Sequence, residues 1–477
     1  MSVQPEFDAD STQWLSDLFK KQKKSYRANP YPDLAERRRR LRKLKQMLID
    51  NQQVICDAID ADFNGRAHME TLSAEYLPSI MGINDALRHL KRWTRTRWTL
   101  APMLFQPASA RVVPQPLGLV GIIVPWNYPL FLAVGPLIAA LSAGNHAMIK
   151  MSEFTPAFGA LFAELITQTF GKEVVTVVNG EVAVAQAFSE LPFDHLLFTG
   201  STAVGKHIMR AASANLTPVT LELGGKSPVV IDRSIPLREA AERLVYPKCL
   251  NAGQTCVAPD YVFCPEEQVE NFVQHFLNEA KRQFADTVNN KEYSSIINAR
   301  QRARLIGYIE DAKAKGAKVY IAGDSDDLSD YGSKLPPIVL TDVTDDMQVM
   351  QDEIFGPILP VMAYKQLDET LNYINDRPRP LALYVYGYEA ALRPTFTEKT
   401  HSGALLFNEA LIHVAMDSLP FGGVGASGMG HYHGYYGFQT FSKMKPIVSK
   451  QRLNSLKLIY PPYKSWLMNA ILGLFGR

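Results

Sequence analysis

Residues 195–205 read "HLLFTGSTAVG". An apolar run of strand length ends in Thr-Gly-Ser, and a segment of helical composition follows. A helix that opens on such a turn presents unpaired N–H groups and a positive dipole end, which suits a pyrophosphate. Glycine after a strand is also common turn chemistry, so the stretch is informative only in company. The company is there. "LVGIIV" (119–124), "HAMIK" (146–150), "VVTVV" (174–178) and "VTLEL" (219–223) are further short apolar runs, with helix-length segments between them. This alternation predicts a parallel sheet covered on both faces, with ligands bound beyond the carboxyl ends of its strands.

The alternation resumes after residue 224 with "PVVID", a helix to about 250 and "YVFC". Two long polar helical stretches follow, then "PIVL", "PILPVMAY", "LALYVYGY" and "GALLFNE". A second α/β unit is expected there. The segment "SLPFGGVGASGMGHYHG" (418–434) is glycine-rich and predicts a structured functional loop. The first hundred residues look helical. In "DLAERRRRLRKLKQMLID", Leu34, Leu41, Leu44 and Leu48 share one face, and the basic residues predict a solvated opposite face.

The chain has 477 residues, which suggests two or three domains. Hydrophobic residues make up 47% and charged residues 21%, an ordinary globular composition. A formal net charge of +2 gives no bulk pull toward nucleic acid or anionic membrane. The opening "MSVQPEFDAD" lacks the apolar core of a secretory signal, so a cytoplasmic protein is expected. The cysteines, Cys56, Cys249, Cys256 and Cys264, lack the spacing of zinc ligands. A reduced compartment accounts for them, and burial is the expectation for Cys56 and Cys264.

Several motifs fail on inspection. "LGGKSP" contains Gly-Lys-Ser, but Thr220 stands where a phosphate loop needs glycine. "GASGM" lacks the last glycine of a nucleophile elbow. His431 and His433, two apart in a loop, read as surface or interface histidines before they read as a metal pair.

The combination is more telling than any member. "VPWNYP" follows the first strand, "IKMSE" the second, "FTGSTAVG" the fourth and "LELGGKSP" the fifth. "NAGQTC" (251–256), "EIFGP" (353–357) and "LPFGGVGASGMG" come later. This set, in this order, resembles the NAD(P)-dependent aldehyde dehydrogenase superfamily over roughly residues 35–463. "APDY", "FNEALIH" (407–413), "SGMGHYHG" and "YPPY" (460–463) look like its class 3 branch, and within it like the bacterial coniferyl aldehyde dehydrogenases.

The resemblance implies a fold and a division of the chain. The fold is α/β, with a Rossmann-like cofactor domain, a second α/β catalytic domain and a small β oligomerisation arm. Residues 1–109 and 119–223 would form the NAD(P)-binding domain and 224–406 the catalytic domain. Residues 110–118 and 407–450 would form the arm and active-site loop, and 451–477 a C-terminal tail. Relatives of this class are typically dimers that exchange a strand, so a homodimer is expected, with "ARVVPQPLG" (110–118) and residues near 414–445 as the exchange element.

The resemblance also implies roles. Cys256 would be the nucleophile, forming a thiohemiacetal that expels hydride and leaves a thioester. A free thiol has a pKa of about 8.5, so a positive cofactor ring would raise Cys256 reactivity when bound. Asn127 and the Cys256 N–H would hold the oxyanion; removing one such donor costs about 3–4 kcal/mol. Glu222 would be the base that activates water against the thioester. Lys150 and Glu153 match the adenine-side ribose contacts, Gly200 and Ser201 the pyrophosphate turn, and Gly205 the close helix packing. Trp126 joins the cofactor-binding set, and Glu353 and Phe355 match the contacts to the nicotinamide-side ribose and ring. Glu153 would repel a 2′-phosphate, so NAD is the expected cofactor. NADP stays open, because class 3 enzymes accept both and Met151 departs from the usual proline.

The substrate is less constrained. An aromatic, coniferyl-type aldehyde is the first expectation and a medium- or long-chain aliphatic aldehyde the alternative. Trp126, Tyr128 and Phe407 are candidates for an apolar entrance or for core. An acylating enzyme that uses coenzyme A is disfavoured by the presence of Glu222. A non-catalytic homologue is disfavoured by the joint presence of Asn127, Glu222, Cys256 and Glu353. The tail "SWLMNAILGLFGR" is apolar but about a dozen residues, too short to span a bilayer; peripheral membrane contact is its testable expectation.

Overall fold

The computed structural model describes residues 13–461 and 466–475. The opening ten residues, and Pro462 and Tyr463 of "YPPY", lie outside the described residues. In chain order the first strands are β1 (Arg97–Thr99), β2 (Ala108–Pro116), β3 (Leu119–Ile123), β4 (His146–Lys150) and β5 (Val175–Val178). Next come β6 (His195–Gly200), β7 (Val219–Leu223), β8 (Pro228–Ile231), β9 (Tyr261–Pro265) and β10 (Lys318–Ile321). The last are β11 (Ile338–Thr341), β12 (Ile358–Tyr364), β13 (Ala382–Tyr386), β14 (Ala404–Phe407), β15 (Gly428–Met429) and β16 (Ser442–Lys450).

The five apolar runs read from the sequence form one sheet in the order β7-β6-β3-β4-β5, all parallel. Every residue of β3 and β4 is buried, as in a sheet covered on both faces. The chain runs outward from β3 through β4 to β5, then returns to place β6 on the other side of β3. That reversal opens a crevice between the carboxyl ends of β3 and β6, the usual ligand position in such sheets. Trp126 and Asn127 follow β3; Gly200 ends β6 and Ser201 follows it.

The second sheet runs β10-β11-β12-β9-β8-β13-β14, parallel except for β10. Only four residues, Gly224–Ser227, separate β7 from β8, so the chain steps directly from one sheet to the other. Glu222 sits beside that step. β15, from the glycine-rich loop, pairs antiparallel with β7 and sets Gly428 opposite Glu222.

The third sheet, β1-β2-β16, is antiparallel and corrects the expected arm. Its strands are 108–116 and 442–450, joined by Arg97–Thr99 from the stretch expected to be helical. Most of 407–441 lies elsewhere: β15 joins the first sheet, and Gly434–Thr440 is a helix. Short strands with few apolar residues, such as β1 and β15, carry no periodicity to read.

The basic helix Leu34–Asp50 needs a second correction. Leu41, Leu44 and Leu48 are buried as expected, but so are Arg37 and Arg40. Arg37 donates to the carbonyls of Pro32 at 2.9 Å and Ser142 at 3.2 Å, and Arg40 pairs with Glu36 at 2.8 Å. At its far end the chain forms the ten-residue helix Trp466–Phe475, with Trp466 and Leu472 exposed. No helix among the described residues is long and apolar enough to cross a membrane.

Asn145 joins the arm to the first sheet. Its side chain, wholly buried, accepts from the Gly118 N–H at 2.9 Å and donates to the Phe441 carbonyl at 2.8 Å. Gly118 separates β2 from β3, and Phe441 precedes β16. Replacing Asn145 by alanine should leave both backbone groups unsatisfied, at about 1–3 kcal/mol each. Urea unfolding would register that loss; an unchanged midpoint would mean the joint carries no stability.

Candidate active site

The cysteine loop is built against a conformational penalty. After the helix Leu237–Cys249, three successive residues take left-handed backbone angles: Asn251 (φ 53), Ala252 (φ 51) and Gly253 (φ 73). The two non-glycine residues cost of order 1–3 kcal/mol each, so the surroundings must hold them. Gln254, buried, donates to the carbonyls of Asn251 at 2.9 Å and Ser295 at 3.0 Å, and accepts from the Ile297 N–H at 3.0 Å. Tyr384 Oη donates to the Val257 carbonyl at 2.6 Å, and the Tyr128 and Thr255 hydroxyls lie 2.6 Å apart. At Gly253 a β-carbon would stand 2.4 Å from the Gly356 carbonyl oxygen. The loop therefore packs directly on the Glu353–Pro357 turn.

Two cavities meet at Cys256. The larger, about 500 Å³, is mostly apolar and is lined by Tyr128, Phe131, Leu250, Leu411, Val414 and Phe421 among others. The smaller, about 210 Å³, is lined by Trp126, Asn127, Ser201, Gly224, Glu353 and Phe355 among others. Cys256, Glu222 and Thr199 line both. Cys56, Cys249 and Cys264 are buried, and Cys256 is the partly exposed thiol of the four. Trp126 and Tyr128 thus fall on opposite sides of the thiol, and Phe407 is in the lining of neither cavity.

The electrostatics of this junction follow from dehydration. Glu222 is buried, and neither carboxylate oxygen has a hydrogen-bond partner among the described residues. Burial pushes its carboxyl well above the usual range. Glu353 is pushed up to about 8, first by burial and then by Asp260. The Cys256 thiol is pushed up to about 12 by burial, Glu353 and Glu222, against the pull of the Cys256 and Val257 N–H groups.

Asn127 is buried and donates one amide hydrogen to the Gln254 carbonyl at 3.1 Å. Asn127 also lines the smaller cavity.

The remaining sequence-derived positions spread along the same crevice. Lys150 ends β4, and its ammonium donates to the carbonyls of Met151 at 2.7 Å and Gly180 at 2.6 Å. Glu153 lies partly buried in the turn that follows. Ser201 caps the helix Thr202–Ser213, accepting from the Val204 N–H at 3.3 Å. Gly205 faces Leu223 so closely that a β-carbon would stand 2.6 Å from its Cδ2. Phe355 meets Trp126 edge to face at 5.3 Å. A capped helix N-terminus, an aromatic pair and Glu353, whose Oε1 has no hydrogen-bond partner among the described residues, are a donor set that fits a dinucleotide.

Sequence reasoning missed the layer beneath. Arg66, Glu70 and Glu75 are buried charges on the helical segment, and Asn251 and Gln254 are buried amides. No periodicity in the sequence marks Arg66, which lies in the turn between the helices Gln52–Phe63 and His68–Thr71. His433 is a correction: it is buried against Phe421, not at the surface, while His431 is exposed. No group of three or more histidines, cysteines or acids that could hold a metal occurs among the described residues.

Known proteins resemble this chain along most of its length. A family model described as "Aldehyde dehydrogenase family" matches residues 12–447. A Pseudomonas aeruginosa protein described as "Probable coniferyl aldehyde dehydrogenase" is 52% identical over 466 residues, covering 97% of this chain and 96% of its own. The structure of Staphylococcus aureus AldH in a substrate-bound state superposes with a TM-score of 0.91 at 36% identity, covering 96% of this chain and 99% of that one. The Mycobacterium tuberculosis aldehyde dehydrogenase complexed with NAD+ gives a TM-score of 0.82 at 27% identity, covering 92% and 91%.

The raised thiol pKa has a measurable sign. With the thiol protonated up to about pH 12, the thiolate fraction of the ligand-free protein should grow about tenfold per pH unit from 7 to 10. Iodoacetamide labelling of Cys256, followed by mass spectrometry, should rise accordingly. A plateau below pH 9 would mean that the N–H groups of Cys256 and Val257 overcome the burial.

Proposed function

The chain belongs to the aldehyde dehydrogenase family, and on that premise we propose that it oxidises an aromatic, coniferyl-type aldehyde to the acid, with Cys256 as nucleophile. The observation that carries this reading is the meeting of two cavities at Cys256 and Glu222. Aldehyde oxidation needs the substrate carbon and the hydride acceptor to enter from separate sites and meet beside one sulfur, and two cavities that share Cys256 suit that need. The rings of Tyr128, Phe131 and Phe421 in the larger cavity suit a flat aromatic substrate.

The Cys256 thiolate adds to the aldehyde carbon, and the carbonyl oxygen becomes an oxyanion held by the Asn127 side chain and the Cys256 N–H. When bound, NAD supplies the two-electron acceptor that takes the hydride from that carbon. Trp126, Gly200, Ser201, Glu353 and Phe355 would hold its nicotinamide and pyrophosphate side, Lys150 and Glu153 its adenine-side ribose, and Gly205 lets the helix approach the sheet. Glu222, once ionised, takes a proton from water that attacks the Cys256 thioester, releasing the acid and the free thiol. A buried carboxyl with a raised pKa suits that step, because its conjugate base is a strong one.

Glu153 beside the ribose favours NAD over NADP by like-charge repulsion with a 2′-phosphate. We assign 119–223 to cofactor binding, 224–406 to catalysis and the sheet β1-β2-β16 to a homodimer contact, since β1 and β16 end in open edges with Trp98 and Val448 exposed. Four free thiols suit a reducing cytoplasm. The aliphatic lining at Leu250, Leu411, Ile412 and Val414 favours a second reading, a medium- or long-chain aliphatic aldehyde.

Steady-state reduction of NAD and NADP against cinnamyl, benzaldehyde and aliphatic aldehydes separates the two. A kcat/KM maximum on cinnamyl members is expected; a steady rise with aliphatic length would overturn the aromatic reading. Glu222→Gln should keep the first hydride burst and stall turnover. Full steady-state activity in that variant would remove Glu222 from the mechanism.

A further inference from the structure

A buried ion pair lies directly behind Asn127. Arg66 Nη2 and Glu75 Oε1 are 3.1 Å apart, and both side chains are wholly buried. Arg66 Nη1 donates to the Asn127 carbonyl at 2.7 Å. Its guanidinium lies over the rings of Phe63 and Tyr128, 4.9 Å from each centroid. Glu75 Oε2 accepts from the N–H groups of Leu130 at 2.8 Å and Phe131 at 3.1 Å, where the helix Phe131–Ala143 begins. The whole run from Asn127 to Phe131 is therefore clamped at both ends by one pair of charges.

The cysteine loop is tied to the same point. Asn251 Nδ2 donates to the Asn127 carbonyl at 3.0 Å and to the Gln254 carbonyl at 3.2 Å. Asn127 Nδ2 donates to that Gln254 carbonyl, and the Glu70 carboxylate accepts from the Asn251 N–H at 3.1 Å and from the Ser294 hydroxyl. The Asn127 carbonyl thus receives two donors, one from each side, which fixes the peptide that carries the amide side chain.

Stability alone is a poor account of this pair. A buried ion pair loses about as much in dehydration as it regains, and apolar residues of like volume serve folding as well. A guanidinium has one property they lack: a rigid planar fork that joins a carboxylate to a carbonyl at fixed geometry while stacking on a ring.

We propose that Arg66, held by Glu75, is a positioning residue that sets the Asn127 amide relative to Cys256 and so shapes the oxyanion hole. The inference rests on the reading of Asn127 as an oxyanion donor. The experiment measures the first hydride burst by stopped flow, KM for NAD, and folding by circular dichroism and urea unfolding. The variants are Arg66→Lys, the charge-free pair Arg66→Met with Glu75→Gln, Asn127→Ala, and the charge-free pair combined with Asn127→Ala.

Arg66→Lys keeps the charge and loses the fork. The charge-free pair leaves no buried charge alone and keeps an acceptor for Leu130 and Phe131. Both should fold with unchanged KM for NAD, and both should slow the burst about tenfold to a hundredfold, as small misplacements of a catalytic group do. With Asn127 already alanine, the charge-free pair should slow the burst no further. Wild-type burst rates in folded Arg66→Lys, or losses that multiply across the combined variant, would overturn the proposal. A normal burst in Asn127→Ala alone would instead overturn the underlying reading of Asn127. Should the charge-free pair fail to fold, Arg66→Lys decides.

Discussion

Dehydration of three ionisable groups at one point governs this molecule. Cys256, Glu222 and Glu353 gather where the two α/β units meet, and each is pushed toward its neutral form by burial. Three anions cannot coexist there without water. Burial therefore disfavours the charged form of each of the three. The surrounding groups make sense in that light. The Asn127 amide and the N–H groups of Cys256 and Val257 are donors without formal charge beside these three groups.

The same constraint explains why the loops are held so tightly. A cysteine between cavities must not drift, yet its approach includes two non-glycine residues in the left-handed region. Gln254, Asn251 and Tyr384 hold that geometry through buried hydrogen bonds, and Gly253 admits the Gly356 carbonyl where any side chain would collide. Local strain is thus balanced by contacts drawn from distant parts of the chain, including Ser295 and Ile297.

Much of this was legible in the sequence because parallel sheets write themselves as uninterrupted apolar runs. The β3 to β7 segments, and the glycine turn at Gly200–Ser201, could be read directly. The motif residues Asn127, Glu222, Cys256, Glu353 and Phe355 were legible through resemblance, and the fold brings them around one crevice. What escaped has physical causes. β1 and β15 are too short to show a period, and the arm begins and ends in residues whose exposure gives no pattern. His433 looked like a surface residue because a glycine-rich loop gives no sign of which side chains turn inward. Arg66, Glu70 and Glu75 escaped because burial of a charge depends on its partners, and beyond the Arg66–Glu75 pair itself these lie about 50 to 220 residues away.

The two cavities share Cys256, Glu222 and Thr199 and otherwise have different walls. Two cavities that meet at one sulfur would give the two ligands of the proposed reaction separate sites. If Cys256 is the nucleophile, an acyl group on its sulfur would face the apolar cavity and leave the smaller one to the nucleotide and to water. The walls are also separately mutable. Changes at Leu250, Leu411 or Ile412 would alter the apolar cavity without touching a residue that lines the smaller one.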